Sequence, residues 1–129
     1  LDAQYSRFFV TLTYPQKWPE DWTQWKRDIA AMRKRIGRRY DGSGGVWRIA
    51  KQERGAPPFH IVLVAKTTRR RLSAYLAASW GAVAHNAAGV HVMELTMQNP
   101  DTPANLREYI AIRQTPVENA GRSWGRWGL

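Results

Sequence analysis

The chain contains no cysteine, which excludes disulfide cross-links and thiolate metal sites. Missing thiols fit a reducing compartment, so a cytoplasmic protein is the expectation. No apolar run approaches the roughly 20 residues that a bilayer-spanning helix needs. The first residues, Leu1 to Arg7, carry no apolar signal-peptide core. Acidic side chains are scarce as well. Ten Asp and Glu stand against twenty Lys and Arg, leaving a net charge of +10.

What remains is basic and aromatic. Most of the cations are arginine, whose planar fork suits phosphate and stacks on bases. Seven tryptophans accompany them. Clustered positive charge with aromatic rings is the composition of a nucleic-acid surface. The competing reading is a basic protein whose tryptophans fill its core. An anionic membrane is a poorer partner, because no basic amphipathic segment stands apart from the fold. At 129 residues with an ordinary apolar fraction of 43%, residues 1–129 suit a single folded domain.

Periodicity gives the elements. Phe8 to Tyr14 is aromatic and β-branched and reads as a strand, closed by Pro15 and Pro19. Glu20 to Arg39 reads as a helix, with Trp22, Trp25, Ile29, Met32 and Ile36 spaced by three and four. Gly37 is a point at which it can stop early. Asp41 to Gly45 is a turn. Val46 to Glu53 and Phe59 to Ala65 read as strands joined through Arg54-Gly55-Ala56-Pro57. Thr67 or Thr68 can cap a helix to about Ala84 that turns Leu72, Tyr75, Leu76 and Trp80 inward. Val90 to Met97 is a further strand, and Pro103 to Pro116 a further helix. The glycine-interrupted tail, Gly121 to Gly128, is expected to be irregular. The order β-α-β-β-α-β-α predicts an α+β fold: one mainly antiparallel sheet of four or five strands with helices packed on it, of ferredoxin-like or RRM-like topology.

Four segments carry a resemblance. They are Phe9-Val10-Thr11-Leu12-Thr13-Tyr14-Pro15; Arg54-Gly55-Ala56-Pro57 leading to Phe59-His60; Leu106 to Arg113; and Gly121-Arg122-Ser123-Trp124-Gly125. In this order they resemble the HUH-class endonuclease domain of rolling-circle replication initiators. The resemblance covers nearly all of the chain. It implies a domain that binds single-stranded or hairpin origin DNA, with host replication proteins as further partners. It also implies nicking, in which a helix-borne tyrosine attacks a phosphodiester, leaving a 5′-phosphotyrosine and a free 3′-OH. A divalent metal, Mg²⁺ or Mn²⁺, assists in that family.

Carried onto this chain, the resemblance makes Tyr109 the nucleophile and Arg113 its cationic neighbour. His60, with Gln52, would face the metal. The chain departs from the family where Pro58 replaces the first histidine, where Ala50 replaces a metal ligand, and where Ile112 replaces a lysine. Read without the family, Tyr109 is an amphipathic core tyrosine and His60 a structural histidine. His91 and Glu94 are expected on opposite faces of one strand, so at most one of them can join His60.

The expected DNA-binding cations are Arg33, Lys34, Arg35, Arg38 and Arg39 on the first helix, then Arg54, and Arg69, Arg70 and Arg71 opening the second. Arg122, Trp124 and Arg126 in the tail either grip and stack unpaired bases or, in the case of Trp124, plug the fold. Three functions stay open. They are a nickase, a Rep-derived module that binds DNA without cutting it, and, last, an RRM-like RNA binder lacking the aromatic RNP pattern.

Overall fold

Side chains alternate across a strand, so the run Phe59-His60-Ile61-Val62-Leu63-Val64-Ala65 must commit one parity to a core. In the computed structural model, which describes residues 5–14, 21–49, 58–85, 89–95 and 124–128, it does so. Phe59, Ile61, Leu63 and Ala65 are buried, and His60, Val62 and Val64 are half-buried on the other face. Seven elements follow in order: β1 (Ser6–Leu12), α1 (Trp22–Arg39), β2 (Gly44–Ile49), β3 (Phe59–Ala65), α2 (Arg69–Ala84), β4 (Val90–Leu95) and β5 (Trp124–Trp127). The five strands form one sheet in the order β4-β1-β3-β2-β5. Every neighbouring pair is antiparallel. The fold is α+β and ferredoxin-like, with β5 added outside β2.

Asp21 starts α1 by accepting from the Thr23 amide at 2.8 Å, and Arg38 and Arg39 in its last turn complement the helix dipole. Thr68 starts α2 by accepting from the Arg71 amide at 3.3 Å. His85 ends it in the left-handed region at φ 62°. Ile29, Met32 and Ile36 from α1, and Leu72, Leu76, Trp80 and Ala84 from α2, pack on Phe8, Val10, Leu12, Phe59, Ile61, Leu63 and Val92. Both helices therefore cover the same sheet face.

An aromatic and hydrogen-bonded cluster closes one end of this core. The rings of Tyr14, Phe59 and Trp80 meet pairwise at 5.2–5.7 Å. Trp80 Nε1 donates to the Thr13 carbonyl at 2.8 Å. Tyr14 Oη donates to Asp28 Oδ2 at 2.5 Å, and Gln24 Nε2 donates to Asp28 Oδ1 at 2.7 Å. One buried carboxylate thus fastens the end of β1 to α1, and the Trp80 indole fastens it to α2. Burial, and then the bond and charge of Asp28, push the Tyr14 phenol well above its ordinary range, so it stays a donor.

Several sequence expectations change. Helix α1 begins at Trp22 rather than Glu20 and runs through Gly37 without stopping. Strand β1 ends at Leu12, and β2 starts at Gly44, inside the expected turn. The tail is not irregular at Trp124–Trp127, which form β5 on β2. The reason lies in the cross-strand pairs, where Gly45 faces Trp127 and Trp47 faces Gly125. A Cβ on Gly125 would come within 2.5 Å of the Trp47 ring, and one on Gly45 within 2.5 Å of the Trp127 ring. Each indole lies over the opposing glycine, a pairing that pins sheet register. The expected helix between Pro103 and Pro116 lies outside the described residues.

Tyr14→Phe removes a hydrogen bond from a carboxylate that is only 6% exposed. It is expected to destabilise the domain by about 1–3 kcal/mol. Urea unfolding should show the midpoint fall with an unchanged slope.

Candidate nucleic-acid interface

The sheet face opposite the helices holds the chemistry. Pairing registers align His91 with Thr11, Thr11 with His60, His60 with Arg48, and Arg48 with Trp124. These five residues form one cross-strand row on that face, running over β4, β1, β3, β2 and β5. The next row is Met93, Phe9, Val62, Val46 and Arg126. No helix covers this face among the described residues. Met93 is 40% exposed, and Arg7, His91 and Arg126 are exposed too.

His60 sits at the centre of the row on the central strand. Its ring lies 5.2 Å from the Phe9 ring, tilted by 51°. Partial burial, and then the guanidinium charge of Arg48 alongside, lower its pKa from 6.5 to about 4. It is therefore a neutral imidazole at physiological pH. Arg48 is only 4% exposed. Pro58, just before β3, is buried and offers no side-chain ligand. The register settles one open point: His91 shares the face and row of His60, whereas Glu94 pairs with Phe8 on the helix side. Two strand steps separate His60 from His91, about 10 Å between backbones. Among the described residues no group of three or more His, Asp or Glu converges.

A second feature lies at the β5 edge. A cleft of about 310 Å³ is lined by Lys26 and Arg33 of α1, Trp47 of β2, and Trp124, Gly125 and Arg126 of β5. It joins residues expected separately on the first helix and in the tail. Lys26 and Trp47 were not singled out as site residues. Nothing in the local pattern marks them, because helix register and strand pairing bring them together. Lys26 Nζ also lies 5.1 Å from the centre of the Trp22 ring, which steadies its stem.

The remaining cations form another group. Helix α1 begins near the Leu12–Phe59 end, through Tyr14 and Asp28, and finishes where β2 starts opposite Val64. Arg38, Arg39 and the exposed Arg69, Arg70 and Arg71 therefore gather at the sheet end away from His60. Lys34 is exposed and Arg35 half-buried on α1, where the Arg35 carbonyl accepts from Tyr75 Oη at 2.9 Å. Arg39 stacks over Tyr40 and Tyr75, at 5.0 and 5.9 Å, so part of its charge serves packing. Gln52, Arg54, Tyr109, Arg113 and Arg122, together with Ala50 and Ile112, lie outside the described residues.

No family model, curated protein or solved structure matched the chain in the three comparisons.

His60 makes stability depend on pH with a definite sign. Below 6.5 the unfolded chain takes up a proton at this position, whereas the folded chain does so only near 4. Stability is therefore lost as pH falls through that window. Thermal unfolding between pH 7 and 4 should show a steeper decline for the wild type than for His60→Gln. The imidazole resonances of His60 should titrate near 4.

Proposed function

We propose that this domain binds single-stranded or hairpin DNA at a replication origin, in the manner of rolling-circle initiators, and nicks it through Tyr109. The observation that supports this reading most is the row His91-Thr11-His60-Arg48-Trp124 across the face opposite the helices. A DNA backbone laid along that row meets the half-buried His60 and Thr11 at its centre, within the field of the buried Arg48 guanidinium beneath. It meets an indole at its end. Phosphate oxygens suit the centre and an unstacked base suits the end. In the nicking step the Tyr109 oxygen bonds to phosphorus, and the bond from phosphorus to the 3′-oxygen breaks. The phenol proton balances the released 3′-OH.

A divalent ion finds only a partial site among the described residues. His60 offers one neutral nitrogen and His91 lies two strands away, while the charge of Arg48 beside His60 opposes a cation. Pro58 adds no ligand. The described residues do not fit a tightly held metal. The same observation favours a second reading, a Rep-derived module that holds DNA without cutting it.

One experiment separates the two. Purified protein is incubated with a library of single-stranded oligonucleotides, with Mn²⁺ or with EDTA, and resolved for covalent adducts and for binding. Nicking predicts an adduct that disappears in Tyr109→Phe, with binding retained. A module that only binds gives no adduct and an affinity indifferent to EDTA. In both cases affinity falls steeply with salt as phosphate contacts release counterions. Absence of salt-sensitive DNA binding under all conditions would overturn both readings.

A further inference from the structure

We propose that the cleft at the β5 edge is a receptor for one unpaired nucleotide of single-stranded DNA, with the base against the Trp124 ring at the sheet edge, Trp47 lining the cleft from the helix side, and the flanking phosphates on Lys26, Arg33 and Arg126. This deepens the DNA-binding reading and rests on it. The cleft lies outside the His60 row except for Trp124, which belongs to both.

Three observations carry the assignment. First, the described lining is cationic and aromatic: Lys26, Arg33 and Arg126 accompany Trp47 and Trp124, with no acidic residue among the described lining residues. Cations attract a phosphodiester, but an indole face engages only a base whose own face is free, and duplex stacking hides those faces. Second, the space of about 310 Å³ is at the small end of ligand pockets, suited to one nucleotide and too small for a base-paired helix. Third, the aromatic floor is preorganised. Trp47 lies over Gly125, where any Cβ would come within 2.5 Å of its ring nitrogen. This wall of the cleft is thus in place before a ligand arrives, which limits the ordering that binding requires.

Continuity gives the path. Arg48 pairs with Trp124, so a strand crossing the sheet along the row His60, Arg48, Trp124 reaches the cleft at the sheet edge. The cleft would take the nucleotide a few positions from the one above His60. A hairpin with an unpaired flank supplies such a nucleotide, and a blunt duplex does not.

The test measures affinity by fluorescence anisotropy for four kinds of labelled probe: a hairpin with a single-stranded flank, the same hairpin trimmed blunt, flanked hairpins carrying one abasic position at each flank site in turn, and the flanked hairpin as an oligoribonucleotide. The variants are Trp124→Ala, Trp124→Phe and Arg126→Ala, each checked by thermal unfolding. The wild type is expected to prefer the flanked hairpin and to lose roughly tenfold or more when one particular position is abasic, the scale of stacking one base on an aromatic ring. Trp124→Ala should lose a similar factor on the intact flank and nothing further at that abasic position, because both changes remove the same contact. Trp124→Phe should recover most of the loss. Arg126→Ala should lower the salt slope by about one. If the wild type binds the flanked hairpin but neither Trp124→Ala nor any abasic position matters, the cleft assignment is overturned while DNA binding stands. If the wild type binds no probe, the DNA-binding reading itself fails. Tighter binding to the matching oligoribonucleotide would overturn the assignment to DNA.

Discussion

The burial of Phe59 against Tyr14 and Trp80 is the constraint from which the rest of the arrangement follows. Phe59 opens β3, so its inward orientation fixes the parity of that strand and directs His60 to the opposite face. The phase is held from three directions. Trp80 is anchored to the Thr13 carbonyl, Tyr14 to Asp28, and Asp28 to Gln24. A slip of one residue in β3 would turn the core side chains of that strand outward and His60 inward, out of its row. Position 60 is therefore not an isolated histidine on a strand. Its orientation is set by an aromatic cluster and a buried carboxylate on the far side of the sheet.

The two faces of the sheet then diverge in character. The helix side is closed by aliphatic and aromatic residues, with the Trp47–Gly125 and Trp127–Gly45 pairs along its outer edge beside the cleft. The other side keeps Arg7, His91, Met93 and Arg126 exposed around a half-buried centre. Positive charge is distributed over three places: the His60 row, the β5 edge, and the far end where Arg38, Arg39 and Arg69 to Arg71 lie. The arginines opening α2 stand at the positive end of its dipole, where the helix itself gains nothing from them. Their charge is placed against the local electrostatics of the helix and is left exposed to solvent.

Much of the architecture was readable from local pattern. Phe59–Ala65 and the α2 helix with its Thr68 cap and inward Leu72, Leu76 and Trp80 follow from strict periodicity and a capping side chain, which are local properties. Strand β5 was not readable, because Trp124-Gly125-Arg126-Trp127 has no apolar alternation and glycine ordinarily weakens a strand. Its glycine becomes favourable only when Trp47 lies opposite, a fact of pairing rather than of sequence. The same holds for the site. His60 was evident from its approach sequence, but its alignment with His91 and Arg48 depends on inter-strand register. Lys26 and Trp47 join the β5 cleft through tertiary packing alone. Buried Asp28, hidden among the charges of α1, was likewise unmarked.

Arg48 decides how the departures at Pro58 and Ala50 bear on chemistry. A metal centre at His60 needs negative or neutral oxygen ligands to offset a divalent charge. Here the nearest cross-strand neighbour of His60 is a buried guanidinium, whose field already lowers the affinity of His60 for a proton. A doubly charged ion at the same nitrogen would feel that repulsion more strongly. A phosphate diester at the same face would have the opposite response, since the field of Arg48 that repels a cation attracts an anion.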